Sequence, residues 1–172
     1  DDLSTGHADA VRGRDFVRGD VADATFTKNL LEQKQIEAVV HFAACSLVGE
    51  SVADPLKYYR RNVGGTAGLV EAMRQAKVTR LVFSSTAAVY GDPVRTPIDE
   101  AHPTQPVNPY GSSKLAIERL LADTGYRGHN APADYKFRIY TSGQKRRLTP
   151  QIKRELRRRA AALPHLLPQR DR

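Results

Sequence analysis

The stretch Leu81-Val82-Phe83-Ser84-Ser85-Thr86 is a short β-rich run that ends in three hydroxyl side chains. After it, another helix is predicted to begin near Asn108-Pro109, because apolar residues recur at helical spacing from Tyr110 to Leu121. Before it, residues 37–42 form a second β-rich run, which follows a helical pattern of apolar residues between Ala22 and Lys34. This alternation of strands and helices predicts an α/β fold with a parallel sheet covered by helices.

A long helix is predicted between the two β-rich runs. Asp54 can cap it, Pro55 fits its first position, and the apolar pattern continues to Met73. Three glycines interrupt this pattern, and they are explained either by close packing against another backbone or by contact with a ligand. They are Gly64, Gly65 and Gly68. Residues 91–107 contain four prolines, which predict an irregular loop.

In parallel α/β sheets, ligands bind beyond the carboxyl ends of the strands, so chemistry is expected next to Thr86. Tyr110 and Lys114 stand four residues apart, which places them on one face of the predicted helix. An ammonium group near a phenol stabilises the phenolate, which can then accept a proton from an alcohol. An ordinary surface pair has the same spacing. The hydroxyl of Thr86, which could hydrogen-bond the same substrate oxygen, favours the chemical interpretation.

The composition excludes several classes of protein. The chain has 172 residues, of which 40% are hydrophobic and 27% charged, as in a globular protein. Its one cysteine, Cys45, cannot form an internal disulfide and is predicted to be a small packed residue. We expect a cytoplasmic protein with no membrane partner, because the sequence has neither a secretory signal pattern nor an apolar run of about 18 residues. His129 and His165 are isolated, so no metal site is expected.

The net charge of +8 is distributed unevenly. Residues 1–122 carry 14 Lys/Arg and 15 Asp/Glu, whereas residues 123–172 carry 13 Lys/Arg and 4 Asp/Glu. This change predicts two segments, a nearly neutral domain over 1–122 and a basic tail over 123–172. Non-specific nucleic-acid binding through residues 152–161 is one interpretation of the tail. A solvated charged tail is the interpretation we favour, because few apolar residues accompany the charges, and a nucleic-acid partner is not expected.

Several blocks in residues 1–122 resemble, in order, the extended short-chain dehydrogenase/reductase family of NAD-dependent epimerases and dehydratases. Within that family they are most similar to the UDP-glucose 4-epimerase branch. The blocks are Asp1-Asp2-Leu3-Ser4-Thr5, Gly19-Asp20-Val21, His41-Phe42-Ala43-Ala44, Asn62-Val63, Ser84-Ser85-Thr86-Ala87-Ala88-Val89-Tyr90-Gly91 and Tyr110-Gly111-Ser112-Ser113-Lys114. Agreement of so many blocks in one order is specific.

This resemblance implies a partial Rossmann-type, doubly wound parallel sheet that binds NAD. The carboxylate of Asp1 is expected on the adenine ribose, which favours NAD because a carboxylate repels the 2′-phosphate of NADP. The other implied cofactor contacts are Asp20, Val21, Phe42, Ala43, Ala44, Ser46, Asn62, Tyr110 and Lys114. As alternatives, Asp1 could cap a turn and the others could simply pack. Ser46 stands where many of these epimerases carry a lysine, so its assignment rests on position alone.

The implied activity is interconversion of UDP-glucose and UDP-galactose by transient hydride transfer to NAD. Tyr110 is expected to take the proton of the sugar 4-hydroxyl, Lys114 to stabilise the phenolate and bind the nicotinamide ribose, and Thr86 to position the 4-oxygen. The expected partners are a UDP-sugar and, as in the family, a second copy in a homodimer. Other NAD-dependent sugar-nucleotide epimerases and dehydratases share this apparatus and remain alternatives.

The family's first strand, its glycine-rich phosphate loop and its substrate-binding portion have no counterpart in the sequence, which we expect to be a fragment. Weak NAD binding and no turnover are therefore expected of this chain, because the loop donates backbone N–H groups to the pyrophosphate. The tail, over about residues 123–161, resembles the carboxyl-terminal part of insertion-sequence transposases. Leu163 stands where those enzymes carry a metal-binding glutamate, so metal-dependent strand transfer is not expected.

Overall fold

The computed structural model describes residues 1–99 and 101–125. Within these residues, two strands and five α-helices form the framework, with two short 3₁₀ helices and one π-helical segment. They are, in chain order, a 3₁₀ helix (Ala8–Val11), α1 (Ala24–Gln33), β1 (Ala38–His41), α2 (Val48–Ala53), α3 (Pro55–Tyr58), the π-helical segment (Tyr59–Gly64), α4 (Gly65–Gln75), β2 (Arg80–Phe83), a second 3₁₀ helix (Ala87–Tyr90) and α5 (Pro109–Asp123).

Strands β1 and β2 are parallel neighbours, paired from Ala38 opposite Arg80 to His41 opposite Phe83. Helices α2, α3 and α4 connect the end of β1 to the start of β2. Parallel strands need such a crossover, because the chain must return to the same edge before it enters the second strand. The predicted α/β fold with a parallel sheet is confirmed.

The helix starts predicted at Asp54-Pro55 and near Asn108-Pro109 are also confirmed, and α1 begins in the same way. Asp23, Asp54 and Asn108 each accept a hydrogen bond from the backbone amide three residues later, at 2.9, 3.0 and 2.8 Å respectively. These contacts satisfy amides that have no partner inside the helix. The long helix predicted from Pro55 continues to Gln75, but its central residues 59–64 form π-helical turns that no sequence pattern predicted.

The hydrophobic core lies between the sheet and helices α1, α4 and α5. Alternate residues of β2 face it, as expected for a strand with one covered face. Its buried members are Leu31, Leu69, Val70, Ala72, Met73, Val78, Leu81, Phe83, Ile117 and Leu121. Because α5 contributes the last two of these residues, the core fixes that helix, and with it Tyr110, relative to the end of β2.

Close packing explains why a glycine stands at residue 68 in the predicted long helix. A Cβ atom there would lie 2.5 Å from the carbonyl oxygen of Ala22, so only glycine lets α4 approach the turn before α1. The packing interpretation therefore holds at Gly68.

Among residues 1–99 and 101–125, no helix combines the length and the apolar character needed to cross a membrane. Within the same residues, no three His, Cys, Asp or Glu side chains are grouped as a metal site would require. The residues from Tyr126 onward lie outside the described residues, and with them the predicted resemblance of the tail to transposases and the predictions for His129, residues 152–161, Leu163 and His165. The division at residue 122 stays a prediction.

Candidate active site at the strand ends

The chain leaves β1 and β2 at the same edge of the sheet. The amide of Ser84 donates to the carbonyl of His41 at 3.1 Å, which extends the pairing one residue past β2. Residues 42–46 and 84–86 therefore begin side by side. Phe42 stands exposed at this edge, with 73% of its surface accessible. A ligand can reach the edge at the place where parallel sheets usually bind one.

Lys114 lies beneath this edge and is the most unusual side chain in the site. It is only 3% exposed, and its Nζ atom donates to the carbonyl oxygen of Ser84 at 2.9 Å. The same atom lies 4.7 Å from the centre of the Phe83 ring, within range of a cation–π interaction. Among the described residues it forms no ion pair with a carboxylate. Burial lowers the pKa of Lys114 to about 8, so the side chain remains an ammonium group at neutral pH.

Tyr110 stands in the first turn of α5 and is half-buried. Its backbone amide donates to the hydroxyl of Ser51 at 3.1 Å, and Ser51 in turn donates to the carbonyl of Val48. Ser51 is fully buried in α2. The start of α5 is thus tied to the helix that follows β1, which holds Tyr110 at the same edge as residues 42–46.

Tyr58 packs against the ring of Tyr110 edge to face, with the ring centres 6.3 Å apart. Its own hydroxyl is 2.6 Å from the carbonyl oxygen of Leu47 and 2.9 Å from a carboxylate oxygen of Glu50. Burial and the Glu50 carboxylate raise the pKa of Tyr58 to about 12. Tyr58 is therefore a permanent phenol that supports the neighbouring ring, and it is not a candidate base.

Thr86 begins the short helix Ala87–Tyr90, and its hydroxyl accepts the amide of Ala88 at 3.2 Å. Gly111 brings this turn against α5, because a Cβ atom at Gly111 would lie 2.5 Å from the carbonyl oxygen of Ala88. The residue after Tyr110 must therefore be glycine for the two segments to pack this closely. The structure thus packs the turn that follows Thr86 against the start of α5, the helix that carries Tyr110 and Lys114.

Ser85 and Glu118 form a partly buried hydrogen bond that sequence reasoning missed. Ser85 is 5% exposed and donates to a carboxylate oxygen of Glu118, which lies one turn after Lys114 in α5. Burial raises the pKa of Glu118, while the bond from Ser85 opposes that shift. The pair ties the residue before Thr86 to the helix that carries Tyr110. The spacing of Glu118 four residues after Lys114 is the signal that could have found it.

The imidazole ring of His41 is buried near Lys114. Its Nε2 atom is 3.0 Å from the hydroxyl of Thr66, and its ring lies 5.8 Å from that of Phe83. Burial, helped by the Lys114 charge, lowers the pKa of His41 to about 4. His41 therefore adds no charge to the site at neutral pH.

Asn62 is fully buried, and both the oxygen and the nitrogen of its side-chain amide form hydrogen bonds within the protein. Its oxygen accepts from the amide of Cys45 at 2.8 Å, and its nitrogen donates to the Cys45 carbonyl at 3.0 Å and to the Ser113 hydroxyl at 3.1 Å. These bonds fix the loop after β1 against α5. The predicted cofactor residue thus shapes the loop that carries other predicted contacts.

Asp1 lies in a turn some distance along the chain from these residues. Its carboxylate accepts the amide of Leu3 at 2.7 Å, and its carbonyl accepts the amide of Gly19 at 3.1 Å. The turn-capping alternative for Asp1 is therefore observed. The bond to Gly19 places the segment of Asp1 beside that of Asp20 and Val21, the next two predicted cofactor residues.

Arg61 connects these two segments and was not singled out from the sequence. Its guanidinium donates to the carboxylate of Asp20 at 2.9 Å and to that of Asp2 at 3.1 Å. The other oxygen of Asp20 accepts the amide of Ala22 at 2.9 Å. The signal available in the sequence was two adjacent arginines, residues 60 and 61, in front of a predicted site residue.

The remaining predicted cofactor contacts differ in exposure. Phe42, Ala43 and Ser46 are exposed, while Val21 and Ala44 are half-buried. Except for Val21, they all belong to the loop held by Asn62, so the structure groups them at the strand edge.

The chain is similar to a known protein family and to known enzymes. Residues 3–149 match the model of a family described as GDP-mannose 4,6 dehydratase. The chain is 50% identical over 129 residues to a UDP-glucose 4-epimerase of Lacticaseibacillus casei, which covers 73% of the chain and 39% of that relative. It thus spans about two fifths of the relative's length.

Solved structures of UDP-glucose 4-epimerases are also similar to this chain. A UDP-glucose 4-epimerase from Brucella ovis in complex with NAD is 46% identical, with a TM-score of 0.72 over 81% of the chain and 41% of its own. One from Stenotrophomonas maltophila, with bound NAD and formylated UDP-arabinopyranose, is 36% identical, with a TM-score of 0.73 over 81% of the chain and 42% of its own. The resemblance predicted from residues 1–122 is confirmed by these matches.

Proposed function

The chain belongs to the GDP-mannose 4,6 dehydratase family, and we propose that it carries the proton-transfer site of an NAD-dependent UDP-glucose 4-epimerase. The observation that carries this proposal is the buried ammonium of Lys114, which has no carboxylate partner among the described residues and lies one helical turn from Tyr110. Burying an unpaired charge is unfavourable, and such groups concentrate at functional sites.

The residues at the strand edge suit a dinucleotide such as NAD. An ammonium has three donor protons, and among the described residues only the carbonyl of Ser84 accepts one from Lys114. The other protons match the hydroxyls of a ribose. Lys114 and the loop of residues 42–46 would hold the nicotinamide half, and the segments of Asp1 and Asp20 would hold the adenosine half. Bound at these residues, NAD would supply reversible hydride transfer to and from the sugar.

Tyr110 is the proposed base. As a phenolate it takes the proton of the sugar 4-hydroxyl, and as a phenol it returns a proton to the same oxygen. The hydroxyl of Thr86 positions that oxygen by a hydrogen bond. Lys114 lies one helical turn away on α5, and Tyr58, which stays protonated, packs against the Tyr110 ring and supports its orientation.

The proposed substrate is a UDP-sugar, since a relative with this fold is solved with a UDP-sugar derivative and another with UDP-glucose. Pairing with a second copy of the chain and a cytoplasmic location stay predictions.

A second candidate, a sugar-nucleotide dehydratase, is favoured by the description of the matching family. Both reactions begin with removal of the 4-hydroxyl proton, so Tyr110, Lys114 and Thr86 keep the same roles. The products distinguish them, because a dehydratase releases a 4-keto-6-deoxy sugar and an epimerase releases the 4-epimer.

The test replaces the 129 matched residues of the Lacticaseibacillus casei relative with the matching residues of this chain. The purified chimera is incubated with UDP-galactose, and the products are identified by NMR. Bound NAD, measured after denaturation, reports folding of the site independently of turnover. We expect UDP-glucose to form. A chimera that retains NAD but converts no sugar nucleotide would contradict the proposal, and a keto product would favour the dehydratase.

A further inference from the structure

Arg61 is bonded to two carboxylates that come from segments far apart in the chain. Asp2 belongs to the first turn of the chain, and Asp20 belongs to the turn before α1. Each carboxylate is also bonded to its own turn, Asp2 to the amide of Ser4 and Asp20 to that of Ala22. The Ser4 bonds and the Arg61 guanidinium hold the pKa of Asp2 below its usual range. Arg61 therefore links two turns that are already ordered internally.

The next residue, Asn62, links a third segment. Its amide holds Cys45 in the loop after β1 through two hydrogen bonds. Both residues lie in the π-helical segment Tyr59–Gly64, a type of turn that often marks functional sites. Two consecutive side chains of this segment thus fix all three loops that carry the proposed cofactor contacts.

We propose that Arg61 is a positioning residue for the adenosine half of the dinucleotide site. By bridging Asp2 and Asp20 it holds the turn of Asp1 against the turn of Val21, so that both face one nucleoside. This inference rests on the proposed NAD site. Arg61 touches no reacting atom, and it acts on nucleotide binding through the two turns.

The charges support a positioning role. The guanidinium is about two fifths exposed, and so is the Asp20 carboxylate, so each ion pair alone is weak. One planar guanidinium forms both bonds, so it restricts the motion of its own side chain and of both turns. The two contacts together therefore stabilise this arrangement more than either contact alone. With both carboxylates bonded to it, Arg61 is held between the two turns.

The experiment compares Arg61→Gln with Arg60→Gln in the full chain. Arg60 is exposed, adjacent and without an ion pair among the described residues, which makes it the matched control. Hydrogen exchange is measured for residues 1–5, 19–23 and 42–46, and binding of adenosine 5′-monophosphate and of nicotinamide mononucleotide is measured by NMR titration. Asp2→Asn and the double variant with Arg61→Gln complete a thermodynamic cycle.

In Arg61→Gln we expect exchange in residues 1–5 and 19–23 to rise roughly tenfold, with residues 42–46 unchanged. Affinity for adenosine monophosphate should fall about fivefold, while affinity for nicotinamide mononucleotide stays the same. Asp2→Asn should reproduce part of this loss, and the double variant should lose less than the sum. Arg61→Lys should restore only part of the affinity, since an ammonium lacks the planar fork.

Equal behaviour of Arg61→Gln and Arg60→Gln would overturn the inference, as would an equal loss of affinity for both mononucleotides. If the unmodified chain binds neither mononucleotide, the proposed NAD site fails, and the nucleotide role of Arg61 fails with it. The exchange measurement then still decides whether Arg61 holds the two turns together, so the two failures can be told apart.

Discussion

The Nζ atom of Lys114 lies 2.9 Å from the carbonyl oxygen of Ser84, at the point where β2 ends. This bond joins α5 to the strand edge and fixes the only buried ammonium among the described residues. Its burial is an energetic cost that folding must overcome, and that cost depends on pH.

Replacing Lys114 by Met should remove this dependence. Because the pKa of Lys114 is lowered from 10.5 to about 8 in the folded chain, the unfolded chain binds more protons between these values. The free energy of unfolding should therefore rise by up to about 3 kcal/mol from pH 8 to pH 10.5 in the unmodified chain, relative to Lys114→Met. Urea unfolding at a series of pH values measures the difference, and parallel curves would rule out the burial account.

His41 should control stability on the acid side. Its pKa is lowered from 6.5 to about 4 by burial and by Lys114, so the unfolded chain takes up a proton first as the pH falls. Stability should be lost between pH 6.5 and 4, and the loss should be smaller by about 3 kcal/mol in His41→Gln. NMR titration of the His41 ring checks the cause directly. A midpoint near 6.5 would be inconsistent with a buried, neutral ring.

Gly111→Ala should destabilise the chain by about 2 kcal/mol, because the added methyl group would lie 2.5 Å from the carbonyl oxygen of Ala88. It should also displace the turn of Thr86 from Tyr110. Gly49→Ala is the matched control, since a Cβ atom there meets nothing within 4 Å in helix α2. The control should be neutral or stabilising by about 0.5 kcal/mol. Thermal unfolding of both variants measures this difference in stability. Equal stability of the two variants would show that the close approach of Gly111 to Ala88 is not required.

Asn62→Asp should cost about 3 kcal/mol, because it replaces a buried donor by a carboxylate that faces the Cys45 carbonyl. Asn29→Asp, exposed on α1, is the control and should change stability by no more than about 0.5 kcal/mol. Raising the pH from about 5 to about 8 ionises the new carboxyl group. The difference in free energy of unfolding between the two variants should therefore increase over this range. A pH-independent gap would indicate that the introduced carboxyl group finds another partner.

Sequence patterns were sufficient for the strands and for the helix starts at Pro55 and Pro109. Caps and strand ends depend on neighbouring residues, and the spacing of Tyr110 and Lys114 is fixed by helical geometry. The strand edge followed from the rule that parallel strands end together.

Contacts between distant segments could not be predicted in this way. Arg61 looked like one of two surface arginines, and its role emerges only when the turns of Asp2 and Asp20 are placed beside the π-helical segment. Likewise, nothing local indicated that Asn62 would bond Cys45, and the spacing of Glu118 after Lys114 did not identify Ser85 as its partner. These pairs depend on tertiary packing, which overrides local preference.

The measurement closest to the central proposal is the epimerisation rate of the chimera with Tyr110→Phe, compared with Tyr59→Phe. Tyr59 is exposed and its hydroxyl forms no hydrogen bond among the described residues. If Tyr110 transfers the 4-hydroxyl proton, its variant keeps bound NAD and loses roughly a thousandfold in rate, while the Tyr59 variant keeps the parent rate. A Tyr110→Phe chimera that retains NAD and turns over within about tenfold of the parent would show that another group performs the proton transfer.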